Sequence, residues 1–299
     1  MDQNNTENQI IAIQNQAEPE VKHETTLYAE KVTDIGSFHV TNALLTSTGA
    51  VIIIAFIAVV VRLKLREVPR GIQNFFEVLL EGALQLCDQV TNSRKISAKV
   101  FPLAISVFLF ILVNNWLGLL PVGGFGIIET GEHGSSFIPF LRSGTADINT
   151  TIALAIMAVV SANLFGIFSL GIWKTFNKYV NLNALGSIFT KVSKEPTVLV
   201  VAPVTFFVGL LELIGEFAKI ASLSFRLFGN VFAGEVLLMA MSNILPFLLP
   251  VPFLFLEIFV GLIQALIFSI LVLVYFTIAA QDHDEHAEED GTHHHPAHA

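Results

Sequence analysis

Five stretches of this sequence are too long and too apolar for the surface of a water-soluble domain: residues of about 43–61, 98–120, 148–173, 197–243 and 253–280. A hydrocarbon core of ~30 Å is crossed by about 20 apolar residues in a helix. No water is present there to bind a free amide, so only helices and closed barrels span it. Run lengths of this size suit helices. Composition agrees: 53% of residues are hydrophobic and 14% charged, where soluble domains carry roughly 25% charged. The expected fold class is an all-α integral membrane protein with five transmembrane helices. The fourth run is the odd one, because about 45 residues at 1.5 Å each make a helix of ~68 Å. It must tilt and bend, or protrude.

Between the first two runs lies a different pattern. Pro69 opens it, and Phe75, Phe76, Leu79, Leu80, Ala83, Leu84 and Cys87 recur at helical spacing over about 70–92. Glu77, Glu81, Gln85 and Asp88 take the other face. This reads as one amphipathic helix on the membrane surface. Residues 1–40 form a polar N-terminal region without the apolar stretch of a signal peptide, and 41–280 form the membrane domain. Residues 281–299 are an acidic, His-rich tail. Basic residues (Arg62, Lys64, Arg66, Arg70; Lys174, Lys178, Lys191, Lys194) flank the ends on one side, while the opposite loops hold only Arg142. The positive-inside rule then puts the N-terminus outside and the tail in the cytoplasm. No transit-like leader is visible, which favours a bacterial plasma membrane. One cysteine excludes a disulfide or thiolate-metal framework within the chain, and all nine histidines lie outside the spans. No metal or other cofactor is expected, and no nucleic acid.

Charges inside a bilayer are costly and usually functional. The fourth run holds Glu212, Glu216, Lys219, Arg226 and Glu235. On a helical wheel with Arg226 at zero, Lys219 falls at about 20°, Glu212 and Asn230 at about 40°, and Glu216 at about 80°. Glu235 falls opposite, at about 180°. The last run adds Glu257 and Gln264, seven apart and on one face. If the fourth run rises outward and the last returns, Glu235 and Glu257 lie toward the outside. Arg226 and Gln264 sit near mid-depth, and Glu212 and Glu216 toward the cytoplasm. That order describes two polar routes meeting near a cation. Simpler roles stand beside it: an ion pair for Lys219 with Glu216, a helix cap for Glu257, interhelical hydrogen bonds for Gln264, Asn114 and Asn115, and close packing at Gly229 and Gly234.

The string Ser222-Leu-Ser-Phe-Arg226-Leu-Phe-Gly-Asn230-Val-Phe-Ala-Gly-Glu235 resembles the signature of subunit a of F-type ATP synthases. Glu257 … Gln264-Ala-Leu-Ile-Phe, ending near Tyr275, resembles that family's last helix. Asn115-Trp-Leu-Gly-Leu-Leu-Pro121 and Ala146-Asp147-Ile-Asn149 are similar to its second and third spans. The likeness covers about residues 40–280. The N-terminal region and the His-rich tail depart from it.

The resemblance implies a stator subunit with a long tilted helical hairpin at the C-terminal end, facing a ring of c subunits and held by the peripheral stalk subunit b. Arg226 is then the essential arginine that separates two half-channels and empties the rotor carboxylate. Glu235, Glu257, Gln264 and Asn230 match the outer half-channel. Glu212 matches the cytoplasmic side, and Glu216 and Lys219 match it less closely; Asp147 is a further, weak candidate for the ion pathway. The implied function is translocation of an ion, a proton first of all, coupled to ATP synthesis. No GxxxxGK[ST] phosphate loop is present, so ATP chemistry belongs to other subunits. The rival is a secondary ion-coupled transporter, which would usually show internal repeats and broken helices in matching halves; none is visible.

Overall fold

The computed structural model describes residues 26–36, 38–63, 65, 71–120, 126–131, 134–173, 175, 198–246 and 248–280. A hairpin of β1 (Lys31–Ile35) and β2 (Phe38–Thr41) leads into α1 (Asn42–Leu63). Then come α2 (Ile72–Thr91), α3 (Arg94–Leu119) and a second hairpin, β3 (Gly126–Gly131) with β4 (Gly134–Pro139). A single 3-10 turn, Gly144–Ala146, precedes α4 (Ile148–Leu170). The long helix α5 (Val198–Ile244) and α6 (Pro250–Ala280) complete the described fold.

Helices dominate, as expected, and α1, α3, α4 and α6 are each long and apolar enough to cross a membrane. The fifth predicted span is α5. It runs for 47 residues without a break, about 70 Å of helix, and packs against α4 and α6. Pro246 lies in the turn that ends it, whereas Pro250 and Pro252 stand in the first turn of α6. Proline suits that position because the first amides of a helix lack partners anyway. The amphipathic stretch at about 70–92 forms helix α2, which lies against α3 and α6.

The two hairpins correct the expected picture, in which residues 1–40 are a polar region and 121–147 a loop. Strands of four to six residues are too short for alternation to stand out. The basic stretch of Lys174, Lys178, Lys191 and Lys194, the cluster of Lys64, Arg66 and Arg70, Glu132, His133 and the tail 281–299 lie outside the described residues.

The core runs along α6. Phe268, Val272 and Leu273 are buried there among Val107 and Ile111 of α3, Ala155 and Ala158 of α4, and Leu223 and Leu227 of α5. On α4 the buried face is made of small side chains: Thr151, Ala155, Ala158, Ala162 and Gly166. In lipid, small residues let helices approach closely, and dispersion replaces the hydrophobic drive. A Cβ on Gly166 would lie 2.7 Å from the Ala279 carbonyl oxygen of α6.

The loop before α4 docks just as tightly on α3. A Cβ on Gly118 would sit 2.6 Å from the Ser143 Cβ and 2.8 Å from its backbone. Gly118→Ala is therefore expected to destabilise the subunit by on the order of 1–3 kcal/mol. A lower melting temperature of the detergent-solubilised assembly would register it, and an unchanged one would contradict the packing described.

Candidate functional site

Polar side chains gather at two places along the α5–α6 hairpin, with Arg226 between them in sequence. The first is a cavity of about 120 Å3, lined in part by Asn115, Arg142, Glu235, Glu257 and Gly261. It has room for several waters. Glu257 stands on α6, 9% exposed, seven residues inside the first residue of the helix. The helix-cap reading of Glu257 is therefore incorrect, because a cap must reach the unpaired amides of the first turn. Its carboxylate lies over Gly234 of α5, where a Cβ would fall 2.1–2.3 Å from the carboxylate atoms. Glu257 has no hydrogen-bond or ion-pair partner among the described residues.

Glu235 faces the same cavity but is committed. Arg142 Nε donates to both of its oxygens, at 2.9 and 3.1 Å, and Nη2 donates to Oε2 at 3.1 Å. One turn and a half below, Asn230 Nδ2 donates to Gln264 Oε1 across the hairpin at 2.5 Å. Gln264 is 3% exposed and its Nε2 is buried without a partner. A buried amide in that condition is a seat for water.

The second polar cluster sits toward the other end of the hairpin. Lys219 Nζ donates to Glu216 Oε1 at 2.7 Å, and Asn163 Nδ2 of α4 donates to Glu216 Oε2 at 3.1 Å. The Lys219 ammonium also lies 5.4 Å from the centre of the Tyr275 ring on α6, a cation–π distance. These groups line a small pocket of about 10 Å3, space for about one water. Glu212 is partly buried further along α5. The simple reading of Lys219 as an ion-pair partner of Glu216 matches this geometry.

Arg226 belongs to neither cluster. The sequence presents it as a charge buried in an apolar helix, but within its own chain it lies on the exposed face of α5. It has no hydrogen-bond or ion-pair partner among the described residues. Phe225 is exposed beside it, and so are Val204, Phe207, Leu211, Ile214 and Phe217 further along. Gly229, expected to serve close packing, meets nothing within 4 Å. The polar stripe of the wheel is thus split. Its edge at Glu216 turns into the bundle, Asn230 is exposed yet bonds to Gln264 of α6, and the edge at Arg226 turns out.

Asp147 lies at the N-terminus of α4, where its carboxylate accepts from the Asn149 amide at 3.3 Å and from Thr150 Oγ1 at 3.2 Å. That is a helix-capping role. Asn114 and Asn115 do tie helices. Asn114 Oδ1 accepts from Ser47 of α1, and Asn115 Nδ2 donates to the Gly261 carbonyl of α6. Sequence reasoning missed Arg142, Asn163 and Tyr275 as members of the two clusters. The signal for Arg142 was its isolation: it is the single basic residue in the loops of its side. Asn163 and Tyr275 gave none, since they are ordinary residues in apolar helices. Among the described residues no cluster of His, Cys, Asp and Glu could hold a metal ion.

Relatives agree with the motif. The ATP synthase A chain family matches residues 43–277. The chain belongs to that family. ATP synthase subunit a of Mycobacterium bovis is 34% identical over 253 residues, 82% of this chain and 89% of that protein. The Mycobacterium ulcerans subunit is 33% identical over the same length. The Gloeobacter violaceus subunit is 35% identical over 223 residues, 75% of this chain and 77% of its own. The chain is thus a multi-pass membrane subunit of an ATP synthase complex, and the role that membership carries is ion translocation in the membrane sector.

Gly234 is where the two helices of the hairpin meet the ionisable group of the larger cavity. Gly234→Ala is expected to displace the Glu257 carboxylate and slow passive proton conduction through the membrane sector on the order of tenfold. Fluorescence-monitored proton uptake into vesicles stripped of the soluble ATPase measures this; a wild-type rate would mean the approach at Gly234 is unimportant.

Proposed function

We propose that this subunit carries protons between two half-channels and a rotating ring of c subunits, with Arg226 as the fixed cation between them. One observation carries the reading most directly. Two polar clusters lie inward on the hairpin, at separate levels, while the only arginine of α5 points outward from it with no partner of its own among the described residues. Glu235 is nine residues from Arg226 and Lys219 is seven, so the clusters lie roughly 10–14 Å to either side along the helix axis.

In this reading the larger cavity is the outer half-channel. A proton reaches Glu257 there and passes by way of Asn230 and Gln264, or a water bound at the Gln264 amide, to a carboxylate on the rotor. The neutral carboxylic acid tolerates lipid, where the charged form does not. The ring turns and brings that site to the cytoplasmic route, where Glu216 and Glu212 receive the proton and Lys219, the ion-pair partner of Glu216, flanks them. The emptied carboxylate then meets Arg226. At ~4 Å and an effective dielectric of ~20, the pair favours the charged form by ~4 kcal/mol, about a thousandfold in the ionisation equilibrium. Arginine fits the task because it stays charged where a lysine can lose its proton. A fixed cation also keeps a proton from passing straight between the two routes. The driving force is ~2.3 kcal/mol per charge for each 100 mV.

The exposed face of α5 is the side offered to the ring, and a peripheral stalk subunit b would hold the chain still against the torque. Positive-inside counting supports an orientation with the N-terminus outside and the C-terminus in the cytoplasm, and the bacterial relatives support a bacterial plasma membrane. The chain supplies the path, and ATP chemistry is done elsewhere in the complex.

Arg226→Ala is expected to abolish ATP-driven proton pumping by the purified complex in liposomes while all subunits remain assembled. Robust coupled pumping by that variant would refute the proposal. Glu257→Ala should retain assembly, slow proton uptake and alter the dependence of the rate on outside pH. An unchanged rate and profile would remove Glu257 from the path. Repeating the assay with sodium varied decides the ion: the rate is expected to follow pH and ignore sodium.

A further inference from the structure

The geometry points to Arg142 as a positioning residue of the outer half-channel, held from behind by a strap of the N-terminal region at residues 26–28. The inference rests on the reading of the larger cavity as that half-channel. Arg142 is 4% exposed and belongs to no helix or strand. One edge of its guanidinium grips Glu235 through the three contacts given above. The other edge points away from the cavity. There Nη1 donates to the Tyr28 carbonyl at 2.9 Å and to Thr26 Oγ1 at 3.2 Å, and Nη2 donates to the Thr26 carbonyl at 2.6 Å. The five N–H groups of an arginine are a rigid fork, and this one is engaged on both sides.

The strap is itself fastened. The Glu30 amide donates to Asn42 Oδ1 at 3.1 Å, and the Asn42 amide donates back to the Glu30 carbonyl at 3.0 Å. Asn42 Nδ2 reaches the Pro139 carbonyl at 3.4 Å. Residues 26–30 are thereby tied to the start of α1 and to the end of β4. They lie before residue 43, where the family match begins, so this contribution to the site is not part of what the relatives share by that match.

The consequence concerns which carboxylate handles the proton. The ionisable groups facing the cavity are Arg142, Glu235 and Glu257; Asp147, nearby in the chain, is occupied in capping α4. Arg142 occupies both oxygens of Glu235 and offsets its charge. Glu257, with no hydrogen bond among the described residues, is left as the acceptor. Arg142 thus fixes the division of labour between two acids that sequence alone treats alike.

The whole ATP synthase in proteoliposomes tests this, with ATP synthesis driven by an imposed gradient and followed against outside pH. Arg142→Ala should lower the rate on the order of tenfold and shift the pH profile, because two unpaired acids then compete for the proton. Arg142→Lys should recover part of the rate, as it keeps the charge but not the fork. Removing residues 2–28 should reproduce the Arg142→Lys behaviour. In a Glu235→Gln background, Arg142→Ala should add no further loss. Wild-type rate and profile for Arg142→Ala, or fully additive losses in the double variant, would overturn the inference. If Arg142→Ala fails to assemble, Arg142→Lys and the truncation decide, and wild-type profiles in both overturn it. Glu257→Gln run alongside separates the two levels. If it alone slows transport, the positioning role fails and the half-channel stands; if it too is wild type, the half-channel reading itself has failed.

Discussion

A polar group inside a bilayer has no water to fall back on, and that constraint organises this chain. Most of the strong contacts between its helices carry a polar tie. Asn115 joins α3 to α6, and Ser269 Oγ donates from α6 to the Ala104 carbonyl of α3. Ser224 of α5 donates to Thr151 of α4, Asn163 of α4 to Glu216 of α5, and Asn230 of α5 to Gln264 of α6. Such bonds are worth about 0.6 kcal/mol each on average in membranes, too little to assemble the bundle. Their value is in register. A helix sliding by one residue would leave several polar atoms unpaired at once, at about 1–3 kcal/mol apiece. Small side chains along α4 supply the close contact, and the polar ties decide which close contact is made.

That arrangement divides the hairpin into a scaffold and a working surface. Helix α6 touches α2, α3, α4 and α5, and its middle, Phe268 to Phe276, is the core of the chain. Helix α5 is held on one face only. Its other face shows a run of large apolar side chains with Arg226 among them. An arginine at the middle of a membrane costs ~2.5–3.5 kcal/mol on insertion scales, and the described residues provide nothing to offset it. A passing carboxylate would. Among the described residues the guanidinium has no partner, and in the proposed reading a side chain already paired could not attract and release a succession of partners.

How much of this was legible in the sequence depends on the range of the signal. Spans were readable because about 20 apolar residues in a row match the thickness of a bilayer and little else; α4 begins at Ile148, where the apolar run begins, and α3 starts at Arg94, four residues earlier than its run, because Arg94 and Lys95 are good helix formers that an apolar count leaves out. Glu235, Glu257 and Gln264 stood out because charges and amides are conspicuous in such runs. The wheel also set Glu235 opposite Arg226, and the two do face different ways. What the wheel could not supply was direction: it groups residues by angle without saying which angle meets a neighbour. So Arg226, Asn230 and Glu216 fall on one stripe, although one edge faces outward and the other faces α4 and α6. Arg142 lay beyond this kind of reading for a second reason. It meets Glu235 across 93 residues of sequence and Thr26 across 116, and no local pattern spans that distance.

The two polar clusters are unequal, and their inequality has a direction. The larger cavity holds Glu235 balanced by Arg142, and Glu257 with no partner among the described residues, in a space of about 120 Å3. The smaller holds Glu216 already balanced by Lys219, a neutral pair in about 10 Å3. In the proposed reading, a proton arriving at the wide side finds a carboxyl group with no hydrogen-bond partner among the described residues and a cavity with room for several waters. At the narrow side it meets no net attraction from the Glu216–Lys219 pair, and Glu212, one turn further along α5, is the next acid on the way out. Capture at one end and weak retention at the other are what a path needs if ions are to leave as readily as they arrive. Under the proposed reading, the residue that would set the selectivity of the wide end is therefore not the acid that carries the proton but the arginine that removes its neighbour from competition.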